Sequence, residues 1–389
     1  MGGTKGVHSL YLTPYSIYQK HENNIKDNIV NKYQKINRFF NYYDYVSKYL
    51  LYKNYKIMKD LFPYDYDYML ETYSNPEDNN TIYNKFKNYT LQNYSKDELW
   101  LVKPKLSSLG SNIKILRNYS HIKSNYIVTK FLKNPHLIKG YKYDLRFHGL
   151  ITSIQPLRLY LYNEGLVRLS SEKYEYNNLT NLYSYLTNLA ININNTKKFI
   201  YPRNIRKIEN SNLWNLDVFQ NYCEKNGYNY TELFEKVKDI FIKLVFSIRK
   251  KTINYIKKIK LHSSNFYHFI GFDIILDENL KPYLLETNRR AGLRQDNAAE
   301  KYYAHNMVVD TLNLVGLRLI NKNNNTSYNY VEYEDNFKEK IDDSLCELER
   351  PRGGYSLIFP LKNNIEKYKK FYLDEIPKED EELWKQIKE

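Results

Sequence analysis

Apolar positions along the chain fall into short runs whose period changes several times. Residues 30–95 mix short apolar runs with turn residues, as in LFPYDYDYMLETYSNPEDNN. LWLVKPK (99–105) reads as a buried strand running into a proline-ended loop, and SNYIVTKFLKNPHLI as a strand followed by a proline-containing connection. YDLRFHGLITS and LRLYLYNEGLVRLSS alternate like antiparallel strands, joined through a turn at Asn163, Glu164 and Gly165. From about residue 231 the spacing becomes helical: Leu233, Phe234, Val237, Ile240, Phe241, Leu244, Val245 and Ile248 form one stripe, with Thr231 as the expected cap. A further helix is expected over DNAAEKYYAHNMVVDTLNLVGLRLI, with Val308, Leu312, Val315 and Leu319 as its apolar side. NKNNNTSYNYVEYEDN (321–336) reads as a linker, and the tail around IEKYKKFY has a mixed-charge helical pattern.

One hairpin raises a chemical question. GFDIILDENLKPYLLETN (271–288) places Asp273 and Glu286 on either side of a turn between large apolar residues. A turn centred between Asn279 and Leu280 sets the two carboxylates face to face, with Asn288 on the same face. Directly opposed like charges destabilise a sheet, so something positive belongs between them, and an all-oxygen donor set selects a hard cation such as Mg²⁺. The alternative is an exposed hairpin with solvated carboxylates; Ile274, Ile275, Leu284 and Leu285 favour burial instead. Magnesium held by carboxylates leaves room for phosphate oxygens, which points to a nucleotide. The sequence has no Walker-type loop and no dinucleotide fingerprint. It has cations at strand ends: Lys103, Lys130, Lys142 beside Asp144 and Arg146, and Arg168. Together they form a set able to neutralise a triphosphate and a carboxylate substrate.

Composition changes this picture little. The chain has 389 residues, 42% of them hydrophobic, and a net charge of +15. Its mean hydropathy is -0.70 and its pI about 9.2. That length suggests two or three lobes, and that charge an acidic partner, without choosing among nucleic acid, membrane and protein. The densest basic block, RKKTINYIKKIK (249–260), comes with no zinc-finger spacing or RNA-binding signature. The 42 tyrosines accompany heavy use of Asn, Lys and Ile and read as codon bias, not as stacking sites. Cys223 and Cys346 fit neither a metal site nor a disulfide framework, so a reducing compartment is expected. No apolar run approaches a membrane span, the N-terminus lacks a signal-peptide core, and Gly6 stands where a myristoylation signal wants Ser or Thr.

WLVKPK, KGYKYDLR, PLRLYLYNEGLVRLSSEKY, LTNLAIN and FIGFDIILDENLKPYLLETN, in that order and spacing, resemble the tubulin tyrosine ligase-like enzymes, ATP-grasp amide ligases. The likeness extends through QKINRFF, WNLDVFQNYCEKNG and GGYSLIFP, covers about residues 30 to 375, and leans toward the glutamate-adding branch. It implies an α/β (α+β) ATP-grasp fold: an N-terminal lobe (1–95), a central lobe (96–170), a C-terminal lobe with the metal-binding hairpin (171–320), and a linker with a helical extension (321–389). The implied cofactors are ATP and Mg²⁺. Lys103, Lys142 and Asp144 are implied to hold the nucleotide, with Lys130, Phe131 and Leu132 along the adenine. Arg146 and Arg168 are implied near the γ-phosphate and the incoming amino acid, with Thr187 and Asn188 bordering that pocket, and Asp273, Glu286 and Asn288 as Mg²⁺ ligands. The implied activity is a tubulin polyglutamylase, a monomer acting on acidic tubulin tails with L-glutamate, in the cytoplasm on microtubules and in cilium or flagellum bases. No nucleic-acid or membrane partner is expected. Glycine or tyrosine ligation and a microtubule-binding pseudoenzyme are the alternatives, because the chain departs from the family at Leu109, Asn112, Thr129, Tyr185 and Leu189. Arg289 and Arg290 replace the usual residues after Asn288, to meet an acidic acceptor or solvent.

Overall fold

A computed structural model describes residues 10–11, 34–74, 88, 91–92, 98–105, 113–116, 126–177, 180–202, 205–259, 261–288, 298–317 and 336–387. The linker expected at 321–336, and Leu109, Asn112, Arg289, Arg290 and Leu319, lie essentially outside those residues. Strand β1 (Leu10–Tyr11) pairs in parallel with β2 (Lys35–Ile36), and α1 (Tyr43–Val46) and α2 (Lys48–Leu61) follow. Strands β3 (Thr72–Ser74), β4 (Trp100–Pro104), β5 (Lys114–Leu116) and β6 (Tyr126–Lys130) make a small antiparallel sheet in the order β3-β6-β4-β5.

A larger sheet is built around one strand. After β7 (Leu137–Ile138) comes β8 (Tyr141–Ile154), then β9 (Leu157–Tyr162) and β10 (Leu166–Lys173). Short helices α3 (Leu182–Tyr185) and α4 (Leu189–Asn192) lead to β11 (Leu213–Asn215), α5 (Leu216–Lys225) and the long α6 (Tyr230–Ile259). The hairpin β12 (His268–Leu276) and β13 (Pro282–Asn288) comes next, followed by α7 (Ala298–Leu314), α8 (Phe337–Glu349), β14 (Tyr355–Phe359), α9 (Ile365–Lys369) and α10 (Lys378–Gln386). The main path of this sheet is β11-β10-β8-β12-β13, with β9 beside the far half of β8 and β14 outside β9.

Period-two alternation along β8 sorts its side chains. Tyr143, Leu145, Phe147 and Ile151 join Phe272, Ile274 and the apolar stripe of α6 in the main core. Gly149 is required there, because a Cβ would lie 2.2 Å from the Phe241 ring of α6. On the opposite face Leu150 packs with Tyr160, Tyr162 and Tyr355 beneath Met307 and Leu314 of α7. Toward the start of that face Lys142, Asp144 and Arg146 are polar and buried. Burial of charge on that scale needs partners.

Four local expectations change. The Asn163–Gly165 segment is not a hairpin turn: β9 and β10 both run antiparallel to β8 and follow one another along the same strand. The reversal is at Gln155–Pro156, and Gly165 is glycine because a Cβ would meet the Arg146 carbonyl oxygen at 2.4 Å. Helix α6 is capped by Asn229, whose side chain accepts from the Glu232 N–H at 3.0 Å, in place of Thr231. Helix α7 buries Ala304, Met307, Thr311 and Leu314, with the expected Val315 just beyond its end, but leaves Val308 exposed. The buried threonine disguised that stripe; its hydroxyl is satisfied by the Met307 carbonyl and the Tyr355 hydroxyl, both at 2.7 Å. The 170/171 boundary falls inside β10, and strands from both sides of it share one sheet.

The C-terminal segment is fastened by two buried ion pairs and not only by helices. Arg158 on β9 makes a bidentate pair with Glu347 on α8, at 2.9 and 3.0 Å, and Tyr160 donates to the same carboxylate at 3.0 Å. Asp380 accepts from Arg249 at 2.8 Å, from the Leu157 N–H at 3.0 Å and from the Tyr372 hydroxyl at 2.7 Å. Glu347→Ala strands a buried guanidinium and is expected to cost about 3–5 kcal/mol, read as a drop in the denaturant midpoint. No helix among the described residues is long and apolar enough to cross a membrane.

Candidate active site

The polar end of β8 faces the small sheet across a cavity whose open space, its solvent-filled mouth included, is about 810 Å³. Apolar walls come from both sheets: Leu101 and Ile113 on one side, Ile275 and Leu285 on the other, with Phe131, Leu132 and Leu186 at the connection. Lys103 follows Leu101 by two on β4 and so shares its face, and Lys142 and Asp144 do the same on β8. The cavity therefore has an apolar end whose chemistry suits a planar ring system and a charged end suited to a polyanion.

Strand register turns the charged end into an alternating array. Arg168 on β10 stands opposite Asp144 on β8, Arg146 opposite Asp273 on β12, and Asp273 opposite Glu286 on β13. Arg168 Nε lies 2.6 Å from Asp144 Oδ1, and its Nη2 reaches diagonally to Asp273 Oδ2 at 2.8 Å. Arg146 clamps Asp273 through Nε and through Nη2 at 3.0 Å. Thr187 donates its hydroxyl to Asp144 Oδ2, and the Asn288 amide nitrogen sits 3.3 Å from Asp273 Oδ2. Glu286 meets Lys48, from the start of α2, at 3.3 Å.

The opposed carboxylates of the hairpin are thus neutralised by the chain's own cations. The register that brings them together differs from the expected one in a single detail. Asp273, Phe272 and Gly271 pair as expected, but Ile274 faces Leu284 and Leu276 faces Pro282 across a bulge. The turn is centred on Asn279, one half-step from the expected position. There Asp277 Oδ1 accepts from the Asn279 and Lys281 N–H groups, both at 2.9 Å, and Leu280 takes φ 59°.

Protonation follows from these contacts. Burial pushes the Asp273 carboxyl up, but Arg146 and Arg168 outweigh it and hold the group below the usual carboxylate range. Asp144 goes the other way: burial and the neighbouring Asp273 charge raise it despite Arg168 and Thr187. Lys103 and Lys142 are the exception to the pairing. Both are buried, and neither ammonium forms an ion pair among the described residues. Burial lowers Lys103 to about 8, and burial with the Lys103 charge lowers Lys142 to about 7. Lys142 rests on the face of Phe131, 4.1 Å from the ring centre.

The sequence-predicted residues Lys103, Lys130, Phe131, Leu132, Lys142, Asp144, Arg168, Thr187, Asn188, Asp273 and Glu286 all line this one cavity. Arg146 and Asn288 do not line it; they stand behind Asp273. Lys130 lines it while its ammonium pairs with Glu98 at 2.7 Å. Sequence reasoning missed nine lining residues, among them Lys48, Leu70, Leu101, Leu186, Ile275 and Leu285. Ile275 and Leu285 were read only as flanking apolar residues, and nothing in the sequence flags Lys48.

Two unpaired buried ammonium groups at one end of a cavity fit a polyanion. The Asp273 and Glu286 carboxylates, with the Asn288 amide oxygen left over as an acceptor, fit a hard divalent cation by donor type. No cluster of three or more His, Cys, Asp or Glu suited to a metal occurs among the described residues, so such an ion would take its remaining ligands from phosphate and water.

Residues 9–327 match the model of the tubulin-tyrosine ligase family. A probable beta-tubulin polyglutamylase of Tetrahymena thermophila is 29% identical over 359 residues, 85% of this chain and 30% of that protein. Tubulin polyglutamylase TTLL6 of Mus musculus is 30% identical over 396 residues, 94% of this chain and 45% of that one. Tubulin monoglutamylase TTLL4 of Mus musculus is 30% identical over 298 residues, 75% of this chain and 24% of its own length. The chain spans less than half the length of each of these relatives.

Proposed function

Because the chain belongs to the tubulin-tyrosine ligase family, we propose that it is an ATP- and Mg²⁺-dependent amide ligase that adds glutamate to glutamate side chains of acidic tubulin tails. The observation that carries this reading is the cavity with an apolar slot at one end and two unpaired buried lysines beside a carboxylate pair at the other. A bound nucleotide supplies phosphoryl activation of a carboxylate, giving an acyl phosphate that an amine attacks to form an amide, ADP and phosphate.

The chain's own groups do the positioning. Leu101, Phe131, Leu186 and Ile275 would give the base its apolar walls, with Lys130, Phe131 and Leu132 beside it. Lys103 and Lys142 lie against the phosphates and neutralise charge that develops on them. Asp273, Glu286 and Asn288 would hold Mg²⁺. Arg168, fixed in place by Asp144 and Asp273, would meet the γ-phosphate and the carboxylate being activated from the cavity wall, with Arg146, clamped to Asp273, supporting that charge from behind. Asp144, Thr187 and Asn188 complete the border of that subsite. The net charge of +15 draws an acidic tail to the protein, as a monomer on microtubules in the cytoplasm and at cilium or flagellum bases. The proposed lobes are the small-sheet unit and the large-sheet unit that face each other across the cavity, with the N-terminal and C-terminal segments around them.

Mass spectrometry of tubulin incubated with this chain, Mg·ATP and each amino acid separately tests the reading. Glutamyl additions on tail peptides are expected, with none from glycine or tyrosine. Addition of glycine or tyrosine instead reassigns the amino acid. No addition in any arm, with nucleotide-induced thermal stabilisation intact, leaves a binding protein without ligase activity.

A further inference from the structure

Strand β10 breaks step with β8 beside the cavity. Leu169 faces Tyr143 and Lys173 faces Tyr141, so three residues of β10 stand against Lys142 alone. A bulge of this kind takes backbone groups off the ladder, and each one buried there needs another partner. The Ser171 N–H finds it in a side chain: it donates to Asn192 Oδ1 at 2.7 Å, and the Ser171 hydroxyl donates to the same oxygen at 2.8 Å.

Asn192 is fully buried and turns its other end toward the site. Its Nδ2 donates to the Leu186 carbonyl at 2.7 Å and to the Asn188 carbonyl at 3.2 Å, on either side of Thr187. Both donors and both lone pairs of the amide are then in use. Thr187 in turn donates to Asp144, which accepts from Arg168, three residues before Ser171 on β10. The bonds close a ring that runs from Asn192 through Ser171, Arg168, Asp144 and Thr187 and back. Asn188 stands just before α4, where an asparagine ordinarily caps the helix, yet its side chain makes no cap bond and lines the cavity. Asn192 itself does not line the cavity; it stands behind that wall.

We propose that Asn192 is a positioning residue for ligation. It fixes the 186–188 segment to the bulge of β10, so that the Thr187 hydroxyl and the Asn188 side chain stand at the γ-phosphate and amino-acid end of the cavity. This rests on the ligase reading and on the assignment of that end. A general structural role for the segment is served by Glu172, whose carboxylate gathers Asn181 at 3.2 Å, Asn195 at 3.1 Å and Lys198 at 2.9 Å. Those bonds hold the flanks of the segment, and none of them reaches 186–188.

The test uses the full chain as wild type, Asn192→Asp, Thr187→Val, the double variant and Glu172→Ala. Asn192→Asp keeps the acceptor for Ser171 and loses both donated bonds, so the bulge stays and the clamp on 186–188 goes. With labelled amino acid and saturating Mg·ATP, its kcat is expected to fall about ten- to hundredfold, the scale of a misplaced reacting group. Mg·ADP, which lacks the γ-phosphate, is expected to bind within about twofold of wild type by calorimetry, as for a site with no shared partner. Thr187→Val also lowers kcat, and in that background Asn192→Asp lowers it by no more than about threefold further, because residues acting as a unit are not additive. Glu172→Ala lowers the unfolding midpoint and leaves kcat within about twofold of wild type. Should Asn192→Asp not fold, Asn192→Ser takes its place and is read the same way, since its hydroxyl reaches the Asn188 carbonyl one turn back but not Leu186. Wild-type kcat in Asn192→Asp overturns the inference, as does a fall that Thr187→Val leaves undiminished or that Glu172→Ala matches. A wild-type chain that adds no amino acid sinks the ligase reading and the inference with it; an active wild type indifferent to Asn192 removes the inference alone.

Discussion

Replacing Asp273 by Asn is expected to abolish amino-acid ligation and also to destabilise the protein, whereas Glu286→Gln abolishes ligation alone. The two carboxylates face each other, yet their surroundings differ. Asp273 is 2% exposed and bonded to both Arg146 and Arg168. An amide there leaves two buried guanidinium groups short of negative charge, a loss of about 3–5 kcal/mol by comparison with other broken buried pairs. Glu286 has a side chain 24% exposed and pairs with Lys48, so its loss costs about 1 kcal/mol or less once solvent screening is allowed for. Both substitutions remove a hard donor from the proposed Mg²⁺ position, and ligation rates are expected to fall by about three orders of magnitude or more, the scale of losing transition-state charge stabilisation. Thermal unfolding and incorporation of labelled glutamate, measured on the same samples, separate the two effects. Wild-type ligation by Glu286→Gln sinks the metal assignment. Wild-type stability of Asp273→Asn shows that Arg146 and Arg168 find other partners.

The acid dependence of Asp273 follows the same contacts. Its folded carboxyl lies below the usual range, so its contribution to stability is present above the unfolded value near pH 4 and is lost as the pH falls toward the folded one. Asp144 is raised and works in the opposite direction, its contribution falling as the pH rises above the ordinary carboxylate value.

Much of this site was legible in the sequence for a physical reason. Side-chain alternation is a local property of a strand, so the order Lys142, Asp144, Arg146 and the pairing of Asp273 with Glu286 follow from spacing once strands are assumed. What spacing could not show was which strands lie side by side. The diagonal bond from Arg168 to Asp273 depends on β10 and β12 flanking β8, and the sequence suggested instead a hairpin between β9 and β10. The argument for a cation between two carboxylates was sound as electrostatics, but it could not distinguish a metal from Arg146, Arg168 and Lys48, which are what the structure places there. Lys48 was invisible because it is separated from Glu286 by more than two hundred positions and sits in a helix, outside any strand pattern. The stripe of α7 was misread because hydrophobicity alone excludes Thr311, whose hydroxyl is fully bonded in the core.

Lys142→Met is expected to stabilise the unliganded protein and to weaken Mg·ATP binding by about one to two orders of magnitude. Lys142 is 6% exposed and its charge is opposed by burial and by Lys103, with only Asp144 acting in its favour. Its folded value of about 7 lies below the ordinary value of 10.5. Between those two pH values the unfolded chain therefore holds more protons than the folded one. Stability of the unliganded protein rises with pH across that window and is flat below it, where the full cost of the buried charge is felt. Methionine fills similar volume without that cost, so the gain over wild type is greatest at and below neutral pH, on the order of 1 kcal/mol or more, and shrinks by pH 10. A polyanion reverses the balance, because phosphate oxygens stabilise the ammonium form and draw a proton onto the lysine. At pH 8, where wild-type Lys142 is mostly neutral, calorimetry in buffers of different ionisation enthalpy should read uptake of up to about one proton per Mg·ATP bound, with Lys103 adding a share from its value near 8. The uptake falls in Lys142→Met and disappears in the double variant with Lys103→Met. Proton release on binding, or uptake unchanged in both variants, means that these lysines do not face the phosphates and that the charged end of the cavity serves another anion.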